Sequence, residues 1–217
     1  HHGLFARTRF HLRHPEAFQS RGRGIDVAGG HQVGHRCKDM GAIDAATAGA
    51  DGRWTVKLAA QPANKTPQTL TLVSGAARRE IKDVRIGEVW MCSGQSNMEW
   101  TVNSSLNPKE ETAAAKYPTI RHIKIPLVPA DKPQTDVKSG SWQVCSPTTA
   151  GNFTAVGYFF AREVFQKTGV PIGLLHSSWG GSQVEGWISK EGMETFDELK
   201  PYAQNLPSNW KDADLRL

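Results

Sequence analysis

The chain has 217 residues, 38% of them apolar and 22% charged, the balance of an ordinary globular protein. That length buries a real core and holds one sizeable domain or two small ones, and no run approaches the roughly 18 apolar residues of a membrane-spanning helix. The net charge of +5 is concentrated early: residues 1–50 carry seven Lys/Arg against four acids. The remaining body is near neutral, so it offers no basic face for nucleic acid.

Residues 1–44 read unlike the rest. Six of the eight histidines fall there (His1, His2, His11, His14, His31, His35), together with six arginines. Neither helical nor strand periodicity is visible, and no apolar core marks a signal peptide. The segment is left unassigned, as a disordered tail or a stretch read in the wrong frame. A basic arm or metal-binding tract is the functional alternative.

From Ala45 the character changes. Residues 53–58, 68–73 and 80–86 each alternate apolar and polar, as half-buried strands do. Residues 45–83 therefore read as part of a small antiparallel β module, whose earlier strands would have to lie in residues 1–44. An apolar run, Val89 to Cys92, then breaks into Ser93-Gly94-Gln95-Ser96-Asn97. A buried strand followed at once by small and polar residues is how an α/β protein presents a reactive side chain.

Past Trp100 helices and strands alternate. Asn107-Pro108-Lys109-Glu110 is a helix start, with Asn as cap and Pro at the first helical position. Ile120 to Ile125 reads as a strand, and a long polar loop follows it. Phe153 to Lys167 is an amphipathic helix with Val156, Phe159, Phe160 and Val164 on its apolar face, ended by Gly169. Val170 to His176 is an apolar strand that breaks into Ser177-Ser178-Trp179-Gly180-Gly181-Ser182, and the last 30 residues read as surface helix. This order predicts a parallel sheet with covering helices. Ligands of such sheets bind beyond the carboxyl ends of the strands, where both unusual turns lie.

The three cysteines, Cys37, Cys92 and Cys145, lack metal-ligand spacing. Cys92 reads as a packing residue, and a Cys92–Cys145 disulfide stays open.

Acyl transfer through serine needs a nucleophile, a base and donors for the developing oxyanion. Ser96 follows a strand and is flanked by Gln95 and Asn97, while Gly180 and Gly181 offer backbone N–H groups with no Cβ in the way. Spacing alone also allows an ordinary strand-to-loop turn. His176, at a strand end, reads as a base or as a satisfied strand-end residue. Trp100, Trp179 and Trp187 read as core residues or as stacking surfaces for a sugar ring.

The stretch Gly87-Glu-Val-Trp-Met-Cys-Ser-Gly-Gln-Ser-Asn-Met-Glu-Trp100 resembles the nucleophile block of the sialate O-acetylesterase family, a branch of the SGNH hydrolases. Residues 157–163 and 170–174 resemble its next segments, and Ser177-Ser-Trp-Gly-Gly-Ser-Gln-Val-Glu-Gly-Trp187 resembles its glycine block. The resemblance implies a flavodoxin-like SGNH α/β sheet, with residues 84–217 as the N-terminal part of the esterase domain. It implies Ser96 as nucleophile, with the Ser96 backbone N–H and one of Gly180 or Gly181 as oxyanion donors. Gln95, Asn97 and Glu185 are expected as substrate contacts, Glu185 through a sugar hydroxyl. The implied reaction removes O-acetyl groups from sialic acids or related carbohydrates, with no metal or organic cofactor, in a secreted or periplasmic setting. Membrane and nucleic acid are not expected partners. The family's Asp-x-x-His and its Gln-Gly-Glu block do not occur here. The expectation is therefore a domain truncated at its C-terminus, with an inactive fragment or carbohydrate-binding module as the alternative.

Overall fold

A single strand of 18 residues, Ala77–Gly94, carries both halves of the main sheet. The computed structural model describes residues 18–20, 26–27, 35–38, 44–46, 56–57, 61–74, 77–128, 137 and 140–205. Its strands are β1 (Phe18–Ser20), β2 (Asp26–Val27), β3 (His35–Lys38), β4 (Asp44–Ala46), β5 (Val56–Lys57), β6 (Asn64–Ser74), β7 (Ala77–Gly94), β8 (Tyr117–Lys124), β9 (Gln143–Cys145) and β10 (Ile172–Ser178). Its α-helices are α1 (Ser96–Glu99), α2 (Pro108–Ala114), α3 (Ala155–Thr168), α4 (Lys190–Met193) and α5 (Lys200–Gln204).

The sheet runs β4-β3-β6-β7-β10-β8-β9, with β1 also paired to β7. At its centre β10 lies parallel to both β7 and β8. On one side β6 and β3 are antiparallel, and on the other β9 is an antiparallel edge. The parallel sheet expected from the helix–strand alternation is thus the middle of a mixed one. Residues 1–44, which show no periodicity, supply the backbone of β1 to β3 and the start of β4. The strand β9 was not expected from the polar loop that contains it.

The change of partner along β7 has a local cause. Between the pairs Gln68↔Val84 and Leu70↔Ile81, β7 spends one residue more than β6. That is a β-bulge, and Asp83 within it takes a left-handed φ of 57°. Arg85 and Arg121 hold the Asp83 carboxylate at 2.8 and 2.6 Å, and Arg121 also donates to its carbonyl at 2.8 Å. Beyond the bulge, β7 pairs with β10 from Glu88 to Gly94.

Helix α3 packs over this parallel centre, around Cys92, Ile120, Phe153, Tyr158, Ala161, Ile172 and Leu174. The face it buries is only partly the one its large apolar residues suggest: Phe159 and Val164 pack against this core. Ala155, Gly157, Tyr158 and Ala161 are buried, whereas Val156 and Phe160 are exposed. Small residues win because the helix lies close to the sheet: a Cβ on Gly157 would come 2.8 Å from Cys92 Sγ. Phe160 instead meets Trp90 edge to face, ring centres 4.8 Å apart. Gly169 ends the helix at φ 66°, as expected of a C-terminal glycine.

Helix α2 begins at Pro108, but Asn107 stands at φ 52° and its side chain makes no capping bond. Arg162 of α3 reaches Glu111 of α2 at 2.5 Å, joining the two helices. Cys92 and Cys145 are buried and free, so they form no disulfide. Burial pushes both thiols up to about 11.

Candidate active site

Strands β7 and β10 end together. Ser93 pairs with Ser177 and Gly94 with Ser178, so the two turns leave the sheet side by side. The Trp179 N–H donates to the Gly94 carbonyl at 2.9 Å. Gly94 turns the chain at φ 133°, a conformation only glycine takes readily, and α1 begins two residues later. The Gln95 carbonyl accepts the Met98 and Glu99 N–H groups at 3.0 and 3.1 Å, which closes this short helical turn. Ser96 is its first residue and is exposed.

The glycine turn faces that serine closely. A Cβ built on Gly180 would lie 3.5 Å from Ser96 Oγ and 2.7 Å from Glu99 Oε2. Gly181 stands at φ 77° with nothing within 4 Å of its Cβ position. Ser96, Gly180 and Gly181 are thus brought together, with Gln95 and Asn97 exposed on either side of the serine. Glu185 is half-buried in a 3-10 turn, Val184–Trp187, and no described hydrogen bond ties it to the Ser96 turn.

Two residues not singled out from the sequence join the site. Gly180 N–H donates to Glu99 Oε2 at 2.5 Å, and Glu99 Oε1 lies 3.5 Å from Lys124 Nζ. The signal was available: Glu99 follows Ser96 by three residues, so a helical turn puts both on one face. Among the described residues the N–H groups of Ser96 and Gly181 have no hydrogen-bond partner.

His176 is not placed to act as a base. It is fully buried, with Nε2 2.6 Å from Ser178 Oγ and Nδ1 3.1 Å from His122 Nε2. His122 in turn stacks on Phe153, ring centres 4.4 Å apart. Burial, followed by the charges of His176 and Lys124, lowers His122 to about 3. Burial and Lys124 lower His176 to about 4, against an opposing pull from Glu99. Both rings are neutral at physiological pH, and both His176 nitrogens are engaged. The strand-end reading of His176 is the correct one.

The tryptophans depart from the core reading. Trp100 is 57% and Trp187 42% exposed, and Trp179 is half-buried. Two hollows of about 610 and 370 Å³ are lined chiefly by β8, β9 and the residues around them, and the smaller one reaches Lys124 at the end of β8. Neither is lined by Ser96, Gly180 or Gly181, so the candidate site is not either hollow. Among the described residues no three His, Cys, Asp or Glu side chains converge as a metal site requires.

Residues 86–208, which contain both turns, match the family model of carbohydrate esterases described as sialic acid-specific acetylesterase. The chain belongs to that family. Over 135 residues it is 35% identical to the sialate O-acetylesterase of Mus musculus and 34% identical to that of Homo sapiens, a match covering 58% of this chain and 25% of each relative. A solved carbohydrate acetylesterase from Xanthomonas citri superposes with a TM-score of 0.78 at 33% identity, over 85% of this chain and 43% of that one. The chain spans about a quarter of the length of the curated carbohydrate esterases it matches. Its mixed sheet with flanking helices is the SGNH-like fold of that solved acetylesterase. No described helix is long and apolar enough to cross a membrane.

Proposed function

We propose that this chain carries the nucleophile portion of a serine esterase that removes O-acetyl groups from sialic acids or related acetylated carbohydrates. The observation that carries the reading is the approach of Ser96 Oγ to the glycine turn, across the ends of two registered parallel strands. In the proposed reaction Ser96 Oγ attacks the acetyl carbonyl and loses its proton to a base. The negative oxygen of the tetrahedral intermediate is held by the Ser96 N–H and a donor of the Gly180–Gly181 turn. Collapse expels the sugar hydroxyl, which takes up a proton, and leaves an acetyl ester on Ser96. Water then hydrolyses that ester to acetate. Gln95, Asn97 and Glu185 are assigned to the sugar, Gln95 and Asn97 because they flank the serine at the surface.

The family resemblance assigns the base to an Asp-x-x-His that this sequence does not contain. A second reading follows from that and from the burial of His176: a carbohydrate-binding cleft without turnover. The divisions proposed at residues 44 and 83 rest on the changes of sequence pattern there, and a secreted or periplasmic setting rests on the family resemblance. Nucleic acid is not a proposed partner, since the body is near neutral.

Acetate release from p-nitrophenyl acetate and from O-acetylated sialic acid, measured on the full-length gene product, separates the readings. Ser96→Ala should lower kcat by at least about 1,000-fold. Full activity in that variant would remove the nucleophile assignment, and binding of the acetylated sugar without acetate release would favour the second reading.

A further inference from the structure

Glu99 stands where the two turns meet, and the chemistry proposed above does not use it. Its carboxylate gathers three separate elements: its own α1, the glycine turn after β10, and Lys124 at the end of β8. The Lys124 contact is long, at 3.5 Å, and its side chain is 46% exposed, so this ion pair contributes little. The contact with the Gly180 N–H is the strong one, short and charge-assisted at 2.5 Å.

An amide has one proton to give. While the Gly180 N–H is held by Glu99, it is not available to an oxyanion. The neighbouring Gly181 N–H has no partner among the described residues, and open space lies beside it. Ser182 Oγ, donating to the Trp179 carbonyl at 2.7 Å, and the Trp179 N–H, donating to the Gly94 carbonyl at 2.9 Å, hold the ends of the turn, but Gly180 and Gly181 between them have no side chains, and Glu99 is the contact made to their backbone. Resting on the serine-esterase reading, we propose that Glu99 is a positioning residue. Its carboxylate latches the glycine turn against the Ser96 turn, and it leaves Gly181 rather than Gly180 as that turn's oxyanion donor.

The test compares Glu99→Ala and Glu99→Gln in the full-length gene product. Two quantities are read: kcat and KM on p-nitrophenyl acetate, and hydrogen exchange of the Gly180 amide. Glu99→Ala should lower kcat by about 10- to 100-fold with KM little changed, as expected of a displaced catalytic turn. Gly180 exchange should quicken by roughly tenfold as its hydrogen bond is lost. Glu99→Gln should rescue both, because its amide oxygen still accepts the Gly180 N–H. Should Glu99→Ala fail to fold, Glu99→Asp, one methylene too short for the reach, takes its place. An unchanged kcat in Glu99→Ala, or equal losses in the Ala and Gln variants, would overturn the proposal. If Ser96→Ala were active, the assignment of Ser96 as nucleophile would fall separately, and Gly180 exchange would still decide whether the latch exists.

Discussion

The Trp179 N–H and the Gly94 carbonyl, 2.9 Å apart, tie the first residue of the glycine turn to the last residue of β7. With that tie in place the glycine turn cannot retreat from Ser96 when a side chain is added to it. A methyl group at Gly180 would meet Glu99 Oε2 at 2.7 Å and push into the space before Ser96 Oγ. Gly180→Ala should therefore lower kcat by about 10- to 100-fold with little loss of stability, since the group that yields is the end of a flexible side chain. Gly181→Ala meets no atom but is held at φ 77°, and it should cost about 1–2 kcal/mol of stability. Steady-state kinetics and chemical denaturation of both variants check this; a fully active Gly180→Ala protein would contradict it.

The buried pair His122–His176 makes stability depend on pH. Both folded-state values, about 3 and about 4, lie below the ordinary 6.5. Above pH 6.5 neither the folded nor the unfolded chain is protonated at these rings, so the pair exerts no penalty. As pH falls below 6.5 the unfolded chain takes up protons that the folded one refuses, and stability drops by about 1.4 kcal/mol per histidine per pH unit. The drop ends near pH 4 for His176 and near pH 3 for His122, where the folded protein is protonated too. Denaturation curves between pH 7.5 and pH 4.5 should show this slope, and His176→Gln should flatten it. Equal slopes in the two proteins would exonerate the pair.

Contact between α3 and the sheet leaves no room at Gly157. A Cβ there meets Cys92 Sγ and Thr154 Cγ2, both at 2.8 Å and both buried. Gly157→Ala should destabilise by about 1–3 kcal/mol through overpacking, even though alanine is the better helix former. A raised melting temperature would show that the helix can move outward freely.

Cys92 and Cys145 should resist alkylation in the native state. Each is buried, and burial pushes each thiol up to about 11, so the reactive thiolate is scarce. Iodoacetamide labelling followed by peptide mass spectrometry should find both unmodified until denaturant is added. Prompt native labelling of either would mean that its cover opens readily.

What the sequence reveals here depends on whether one residue or a partnership decides the outcome. The strand ends at Gly94 and Ser178, the left-handed Gly169 and the start of α2 at Pro108 follow from local chemistry and were legible. The buried face of α3 was legible only in part: Phe159 and Val164 pack on the core, but closeness to the sheet selects Gly157 and Ala161 over Val156 and Phe160. The bulge at Asp83 depends on Arg121, 38 residues away, and alternating apolar residues cannot announce it. Within the site, Ser96 and the glycines stand out by motif. The hold of Glu99 on Gly180 spans 81 residues, and the neutral state of His176 depends on the cover that the fold places over it.

The bulge at Asp83 has a practical consequence for dissecting the molecule. Residue 84 is where the order of elements suggests a border, yet β7 passes through it without a break. Just beyond it, Arg85, Ile86 and Gly87 are paired with Phe18, Gln19 and Ser20, and Ile86 also with Asn64. A protein cut at residue 84 would begin in mid-ladder, with the strand that delivers Ser96 stripped of its neighbours at its root. The two regions are legible as separate modules, but they share a beam, and neither can be lifted out without sawing through it.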